Sequence, residues 1–205
     1  MSDYLVRAMA REAGMRGFAC ISTDLGREGA RRHEATPLST AVLSEGLTAA
    51  ALLGTLLKVR QRVALKIEGN GPARKIVAES DANGHVRGYI SEAHLPSPIE
   101  IGPEQMAFAI GNEGLVTVAK DVGLKDLYHG IVPLHSGAVD SELIYYLTRS
   151  EQVPSFVEIG AKMNSVGELT MAGGLLLQAM PGADATILHT LTERVEDRPP
   201  LVDML

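Results

Sequence analysis

The stretch TPLSTAVLSEGLTAAALLGTLLK, residues 36–58, decides how the chain must fold. Thr36 is a suitable N-cap, and Pro37 stands at the first helical position, where proline is welcome because that N–H has no helical partner. Apolar residues follow a helical spacing along the stretch, and by its end they surround the helix on nearly all sides. A helix without a polar face must be covered by other elements, so we predict a central, buried helix.

Segments in which apolar and polar residues alternate predict strands before and after this helix in the sequence. The predicted strands are 15–21, 62–68, one that begins at Ile76 and leads to the DANG turn at 81–84, one that contains Val86 and Ile90, 114–121, 128–134, 154–162 and 167–182. Helices are expected at 3–9, within 136–152 and after Asp184, and the final LVDML, 201–205, has the pattern of a further helix start. The predicted fold class is therefore α+β, with β-sheets packed around the central helix and a helical C-terminal arm.

The segment IEGNGPARK, 67–75, contains a Gly-x-Gly that could be taken for a phosphate-binding loop. A phosphate cradle needs a helix that starts directly after the glycines. Here Pro72 and a strand follow, so Gly69 and Gly71 are interpreted as part of a plain connection between two strands. The next connection holds Asn83-Gly84, a pair that tolerates the positive φ of a tight hairpin turn. The Gly173-Gly174 pair further on indicates a bulge or a close backbone contact.

Composition excludes several classes of protein. The net charge of −6 disfavours a general nucleic-acid binder, which needs a basic surface. The most apolar run, 47–57, is too short to cross a bilayer, and no signal peptide is visible, so we expect neither a membrane partner nor secretion. Cys20 is the only cysteine, and we interpret it as a small buried hydrophobe. A reduced, cytoplasmic setting is expected.

Catalytic motifs are missing from the sequence. The six histidines form no HExxH and have no metal-site spacing, and neither a Gly-x-Ser-x-Gly elbow nor a P-loop is present. We therefore predict no catalytic residues and no metal site in this chain. One alternative is a small-molecule enzyme whose pocket uses Arg87, Tyr89, Glu151 or His33. Another is an inert dimeric scaffold.

Five runs in this order resemble the redox-regulated 33-kDa heat-shock chaperone family, whose members hold unfolding proteins without ATP. The runs are HEATPLSTAVLSEGLTAAALLGTLLK (33–58), EGNGPARKIVAESDANGHVRGYI (68–90), GLVTVAKDVGLKDLYHGIVPL (114–134), YYLTRSEQVPSFVEIGAK (145–162) and MAGGLLLQAMPGA (171–183). The resemblance extends from residue 3 to about 196. It implies a stress-response holdase that binds unfolded client proteins, forms a homodimer whose helical arms can be exchanged between subunits, and has no catalytic residues.

The family resemblance also implies a zinc module, from which this chain departs. In the family, four cysteines in CxC and CxxC pairs bind zinc, and their oxidation switches the chaperone on. Cys20 lies in the wrong half of the chain for that role, so we expect no cofactor here and zinc only in a C-terminal module that is missing. We expect residues 3–180 to form the chaperone core and 181–205 to start the helical arm of a truncated chain. Leu188, Leu191 and Val195 are candidate client-binding residues, with core or dimer interface as the alternative.

Overall fold

The computed structural model describes residues 2–98, 100–123 and 126–204, and the central helix organises all of them. Helix α2 spans Pro37–Gly54, so it begins at Pro37 as predicted but ends before residues 55–58 of the predicted stretch. Every residue in it except Pro37 and Glu45 is buried. Thr36 is the N-cap residue, but its hydroxyl donates to the carbonyl oxygen of Leu95 at 2.7 Å instead of capping the helix. The helix is therefore anchored to the loop at 91–98 as well as to the sheets.

Two antiparallel sheets enclose α2. The first contains β1 (Tyr4–Ala10), β2 (Met15–Ile21), β8 (Ser155–Met163) and β9 (Leu169–Ala179), in the order β1-β2-β9-β8. The second contains β3 (Arg62–Gly69), β4 (Lys75–Asp81), β5 (Val86–Ile90), β6 (Gly114–Asp121) and β7 (Tyr128–Pro133), in the order β5-β4-β3-β6-β7. Strands of both sheets contact α2, so the helix is the middle layer of a three-layer sandwich.

The register of the strands shows which face of each sheet meets the helix. In the first sheet Phe18, Leu176 and Val157 lie side by side across three strands and all are buried. In the second sheet Leu65 pairs with Val118, and both are buried as well. Residues one position along each strand point away from α2. Each sheet therefore has one inner face in the core and one outer face.

Among the described residues, five further helices accompany α2. They are α1 (Thr23–His33), α3 (Pro103–Ile110), α4 (Val139–Arg149), α5 (Ala185–Glu196) and α6 (Leu201–Met204). The predicted helix within 136–152 is confirmed as α4, and the cap at Asp184 is confirmed because its carboxylate accepts the N–H of Thr186 at 2.9 Å. The helix start at the C-terminus is confirmed as α6, although Leu205 lies outside the described residues. Helices α1 and α3 were not predicted.

The predicted helix at 3–9 is wrong, because these residues form strand β1. This strand pairs along its whole length with β2, from Tyr4 opposite Ile21 to Ala10 opposite Met15. Backbone hydrogen bonds to a neighbouring strand outweigh the weak helical preference of a short segment. All residues of β1 are exposed, so the strand forms an edge of the sheet instead of joining the core.

The structure agrees with the interpretation of the glycines as residues of turns and close backbone contacts. Gly71 lies in the β3–β4 connection, and a Cβ there would stand 2.4 Å from the carbonyl oxygen of Ala109, so the glycine allows α3 to approach the turn. At Gly173 a Cβ would come within 2.6 Å of the carbonyl oxygen of Cys20, which confirms the close backbone contact predicted for the Gly173-Gly174 pair. The β4–β5 turn is located as predicted. It has four residues, 82–85, and only Gly84 of the pair has positive φ.

Removing a large side chain from α2 will test the central position of this helix. We expect Leu43→Ala to lower the free energy of unfolding by about 2–5 kcal/mol, because the core around a fully buried leucine cannot fully refill the cavity. The measurement is urea unfolding followed by circular dichroism. Val59→Ala, at a loop residue that is 79% exposed, is the control and should change it by less than about 0.5 kcal/mol. Equal effects of the two variants would contradict the central position of α2.

Candidate binding surface

The structure places three of the four residues of the alternative enzyme hypothesis at strand β5 and the fourth, Glu151, elsewhere. Arg87 and Tyr89 lie on β5, and the Arg87 guanidinium binds Glu79 of the next strand at 2.6 Å in an exposed ion pair. His33 ends α1, and its Nε2 lies 3.1 Å from the carbonyl oxygen of Gly88. Glu151 is close to β6. In the second sheet β6 is three strands away from β5, which corresponds to roughly 14 Å across the sheet. No common pocket joins the four in the part of the chain that the structure describes.

Glu151 has a structural role at the end of α4. Its carboxylate binds the Lys120 ammonium at 2.8 Å and accepts a short hydrogen bond from the Tyr146 hydroxyl. Lys120 lies directly opposite Val63 on the neighbouring strand, so its side chain points to the inner face of the sheet. The ammonium group therefore lies at the edge of the core. Burial, and then the Glu151 carboxylate, raise the pKa of Tyr146 well above its usual value. Glu151 thus neutralises a largely buried cation and joins α4 to β6.

We expect Glu151→Ala to destabilise the fold by about 2–3 kcal/mol, because Lys120 would lose its carboxylate partner in a mostly buried place. The free energy of unfolding in urea is the measurement. Arg87→Ala is the matched control, since it breaks an exposed ion pair whose contribution is about 0–1 kcal/mol. A Glu151→Ala variant as stable as the parent chain would contradict the structural role.

The outer face of the first sheet carries a continuous apolar surface. Val6, Ala19 and Leu175 lie side by side across three strands, and in the next outward row Leu177 lies beside Phe156. We call this surface the outer apolar face, and it comprises Tyr4, Val6, Ala19, Leu175, Leu177 and Phe156. Tyr4 and Val6 are 50% and 51% exposed, and the others are half-buried. The β1 end is thus the most accessible part of this face.

Helices α5 and α6 lie against the other end of the same sheet. Both contact β8 and β9, and Val202 of α6 packs against Gly160. The Glu158 carboxylate holds this end in place, because it binds the Arg198 guanidinium at 2.6 Å and accepts the N–H of Leu201 at 2.7 Å. The charge of Glu158 is therefore paired at the rim of the apolar surface.

The predicted client-binding residues lie on α5, which contacts this end of the sheet. Leu188, Leu191 and Val195 are all half-buried on α5, and Val195 lines a surface groove together with Phe156. Their role in binding stays a prediction. Sequence reasoning missed the β1 residues, because the segment was interpreted as a helix. The signal was present, since Tyr4, Val6 and Ala8 recur with the period of two that marks one face of a strand.

Comparisons with known proteins agree on one family. The family model described as Hsp33 protein matches residues 3–205. The chain belongs to the Hsp33 family. It is 45% identical to the 33 kDa chaperonin of Citrifermentans bemidjiense and 42% identical to that of Geobacter sulfurreducens, and the matches cover all of this chain but 70% and 68% of those proteins. The crystal structure of the 33 kDa chaperonin of Thermotoga maritima matches with a TM-score of 0.88 at 30% identity, over 97% of this chain and 69% of that one.

Membership of the Hsp33 family makes this protein a chaperone with a mixed α+β fold, as the resemblance implied. The similarity to the Thermotoga maritima structure includes the central helix and the two antiparallel sheets on either side of it. In the described part of the chain no helix has the length and hydrophobicity needed to cross a membrane.

The described residues do not fit the zinc site of the family. Thiolate zinc sites need several cysteines close together, and Cys20 is the only cysteine in the sequence. Within 2–98, 100–123 and 126–204 no three His, Cys, Asp or Glu side chains are grouped so that they could hold a metal ion. Cys20 itself is buried on the inner face of β2.

Burial also makes Cys20 a poor nucleophile, because it raises the pKa of the thiol to about 12. At mildly alkaline pH we expect iodoacetamide to label the native chain roughly 100-fold or more slowly than the chain unfolded in urea, since the thiolate fraction is so small. Mass spectrometry of the labelled protein measures both rates. Rapid labelling of the native chain would contradict the buried position of Cys20.

Proposed function

We propose that this chain is a holdase, which captures unfolding proteins on the outer apolar face and acts by binding alone, without ATP or a catalytic step. The observation that carries the proposal is the extent of this face, which crosses all four strands of the first sheet and is exposed at the β1 end. Monomeric proteins rarely leave contiguous apolar surface uncovered unless it binds something. Unfolding clients expose matching apolar segments, so the surface and its partners are complementary.

Strand β1 gives the proposed site a second means of binding. It is the edge of its sheet and pairs only with β2, so one side of its backbone is free to hydrogen-bond with an extended segment. Added strands gain affinity from main-chain hydrogen bonds that do not depend on the client sequence. Both exposed faces of β1 contribute apolar contacts, with Tyr4 and Val6 on one side and Leu5 and Met9 on the other. Such a site suits clients of many sequences.

The proposal also covers the division of the chain into core and arm, the homodimer, redox control and the location in the cell. Residues 3–180 constitute the chaperone core, and 181–205 begin a helical arm that can be exchanged between the subunits of a homodimer. Helices α5 and α6 follow the last strand and would form the start of that arm. Redox control through zinc belongs to a cysteine module outside these residues. The lone buried thiol is compatible with a cytoplasmic location.

Light scattering of a heat-unfolding client, with the reduced chain and no ATP or zinc, tests the proposal. We expect near-stoichiometric chain to suppress aggregation, and Val6→Glu to raise the concentration needed about tenfold. Full burial of a valine contributes about 1.5 kcal/mol, and about 1.4 kcal/mol corresponds to a factor of ten. Val59→Glu places the same charge on a loop residue that is 79% exposed and should leave the activity unchanged.

Other outcomes would contradict separate parts of the proposal. A parent chain that suppresses nothing would refute holdase activity of these residues. Equal losses in Val6→Glu and Val59→Glu would refute the outer apolar face as the site. An inert dimeric scaffold would bury this face permanently, so a dye that fluoresces on apolar surfaces would bind only after dilution dissociates the dimer.

A further inference from the structure

A cavity of about 440 Å³ lies beside strand β8, where α6 packs against this edge strand of the first sheet. It is bounded by α2, the first turns of α3 and α4, the strand residues 159–163 and the C-terminal helix α6. This volume lies in the range of cavities that bind small ligands. Its walls are mainly apolar, and they include Ile101, Met106, Ile159, Met163 and Val202. An alkyl chain of a few carbons would find apolar contacts on every side.

Four charged side chains line the same cavity, and three of them are acidic. They are Glu45, Asp140, Asp203 and Lys162. Lys162 and Asp203 bind each other, with 2.6 Å between Nζ and Oδ1. The other two carboxyl groups, Glu45 and Asp140, also line the cavity, and no cation among the described residues forms an ion pair with either of them. The fully ionised site would therefore carry two uncompensated negative charges.

Glu45 is the one charged residue of the central helix. Asp140 is partly satisfied, because it accepts the N–H of Ser141 at 2.6 Å. No described side chain or backbone group hydrogen-bonds to Glu45, and burial, followed by the charge of Asp140, raises its pKa well above the usual value. Burial likewise raises the pKa of Asp140. A cation between these two groups would offset the free-energy cost that the cavity imposes on their ionised forms.

We propose that this cavity binds a primary alkylammonium group, with the ammonium between Glu45 and Asp140 and the alkyl chain along Met106, Ile159 and Met163. The same chemistry occurs in a free alkylamine and in the lysine side chain of a polypeptide. A divalent metal is a poorer match, since Ca²⁺ requires six to eight oxygen ligands. No cluster of three or more His, Cys, Asp or Glu side chains able to hold a metal ion is found among the described residues.

Binding should depend on pH in a defined direction. The groups that face the ligand are Glu45 from α2, Asp140 from α4, Lys162 from β8 and Asp203 from α6. Lys162 and Asp203 neutralise each other, so the two remaining carboxyl groups control binding. Both must be ionised to attract an ammonium, and both have raised pKa values. Affinity should therefore increase as the pH rises through those values.

Isothermal titration of the full chain with n-hexylamine tests the proposal, with n-hexanol as the uncharged probe of similar size. We expect hexylamine to bind at least about tenfold more tightly than hexanol, which corresponds to one ammonium–carboxylate contact of about 1.4 kcal/mol. Glu45→Gln should abolish that preference. Glu104→Gln removes the same charge from an exposed residue of α3 that does not line the cavity, and it should leave the preference intact.

Methyl NMR of the methionines provides a second measurement that does not require a variant to fold. We expect hexylamine to shift the Met106 and Met163 methyl signals and to leave the exposed Met9 signal unchanged. Equal binding of hexanol and hexylamine, or a preference for hexylamine that survives Glu45→Gln, would overturn the proposal. If an acetylated Leu-Lys-Leu amide competes with hexylamine, the site takes a lysine side chain, and if it does not, the site takes a free amine.

Discussion

The structure depends on one constraint, which is that the central helix is covered on both sides by β-sheets. Apart from Glu45, the polar side chains of this helix lie at buried positions, so their hydroxyl groups must find partners inside the protein. Ser44 and Thr48 solve this problem within the helix, because each donates to the carbonyl oxygen four residues earlier at 2.7 Å. The Thr48 hydroxyl also lies 2.6 Å from that of Ser22 on the first sheet side. The buried hydroxyls thus join the layers.

The same constraint explains how a stable protein keeps apolar surface free. Both inner faces pack against α2, and the main core cluster lies around this helix. The outer face of the first sheet can therefore carry Val6 and Leu175 in exposed or half-buried positions while the fold remains intact. A protein that holds other proteins needs this separation, because its binding surface has to remain available when no client is present.

The sequence predicted the parts of the fold whose signal is local. Apolar residues surround the helix at 36–58 on nearly all sides, which predicted its central position. Apolar and polar residues alternate within 62–90, which predicted a three-stranded meander. Helix α1 was missed, because Gly26 and Gly29 interrupt its pattern, and the close contacts of these glycines with Ser44 and Leu47 are visible only in three dimensions. Strand β1 was mistaken for a helix, because its state is set by pairing with β2.

The sequence predicted less of the two candidate sites, the outer apolar face and the cavity beside Glu45, than it did of the fold. Leu188, Leu191 and Val195 could be selected from the sequence as an apolar stripe, but the continuation across β9 to β1 required the strand register. Glu45 was visible as an acidic residue in an apolar helix. The presence of Asp140 beside the same cavity follows from the packing of α4 against β8, nearly a hundred residues later, and no local pattern encodes it.

The order of the strands also has a consequence for the protein's own synthesis. The second sheet is built from consecutive strands and is complete once residue 133 is available, whereas the first sheet joins Met15 to Ala179. Contacts between such distant residues form late, since a long loop must close before they are made. While the last strands are still missing, the part of α2 that β8 and β9 cover in the folded protein is exposed. A nascent chain of this chaperone therefore passes through a stage in which it resembles the clients that it later binds.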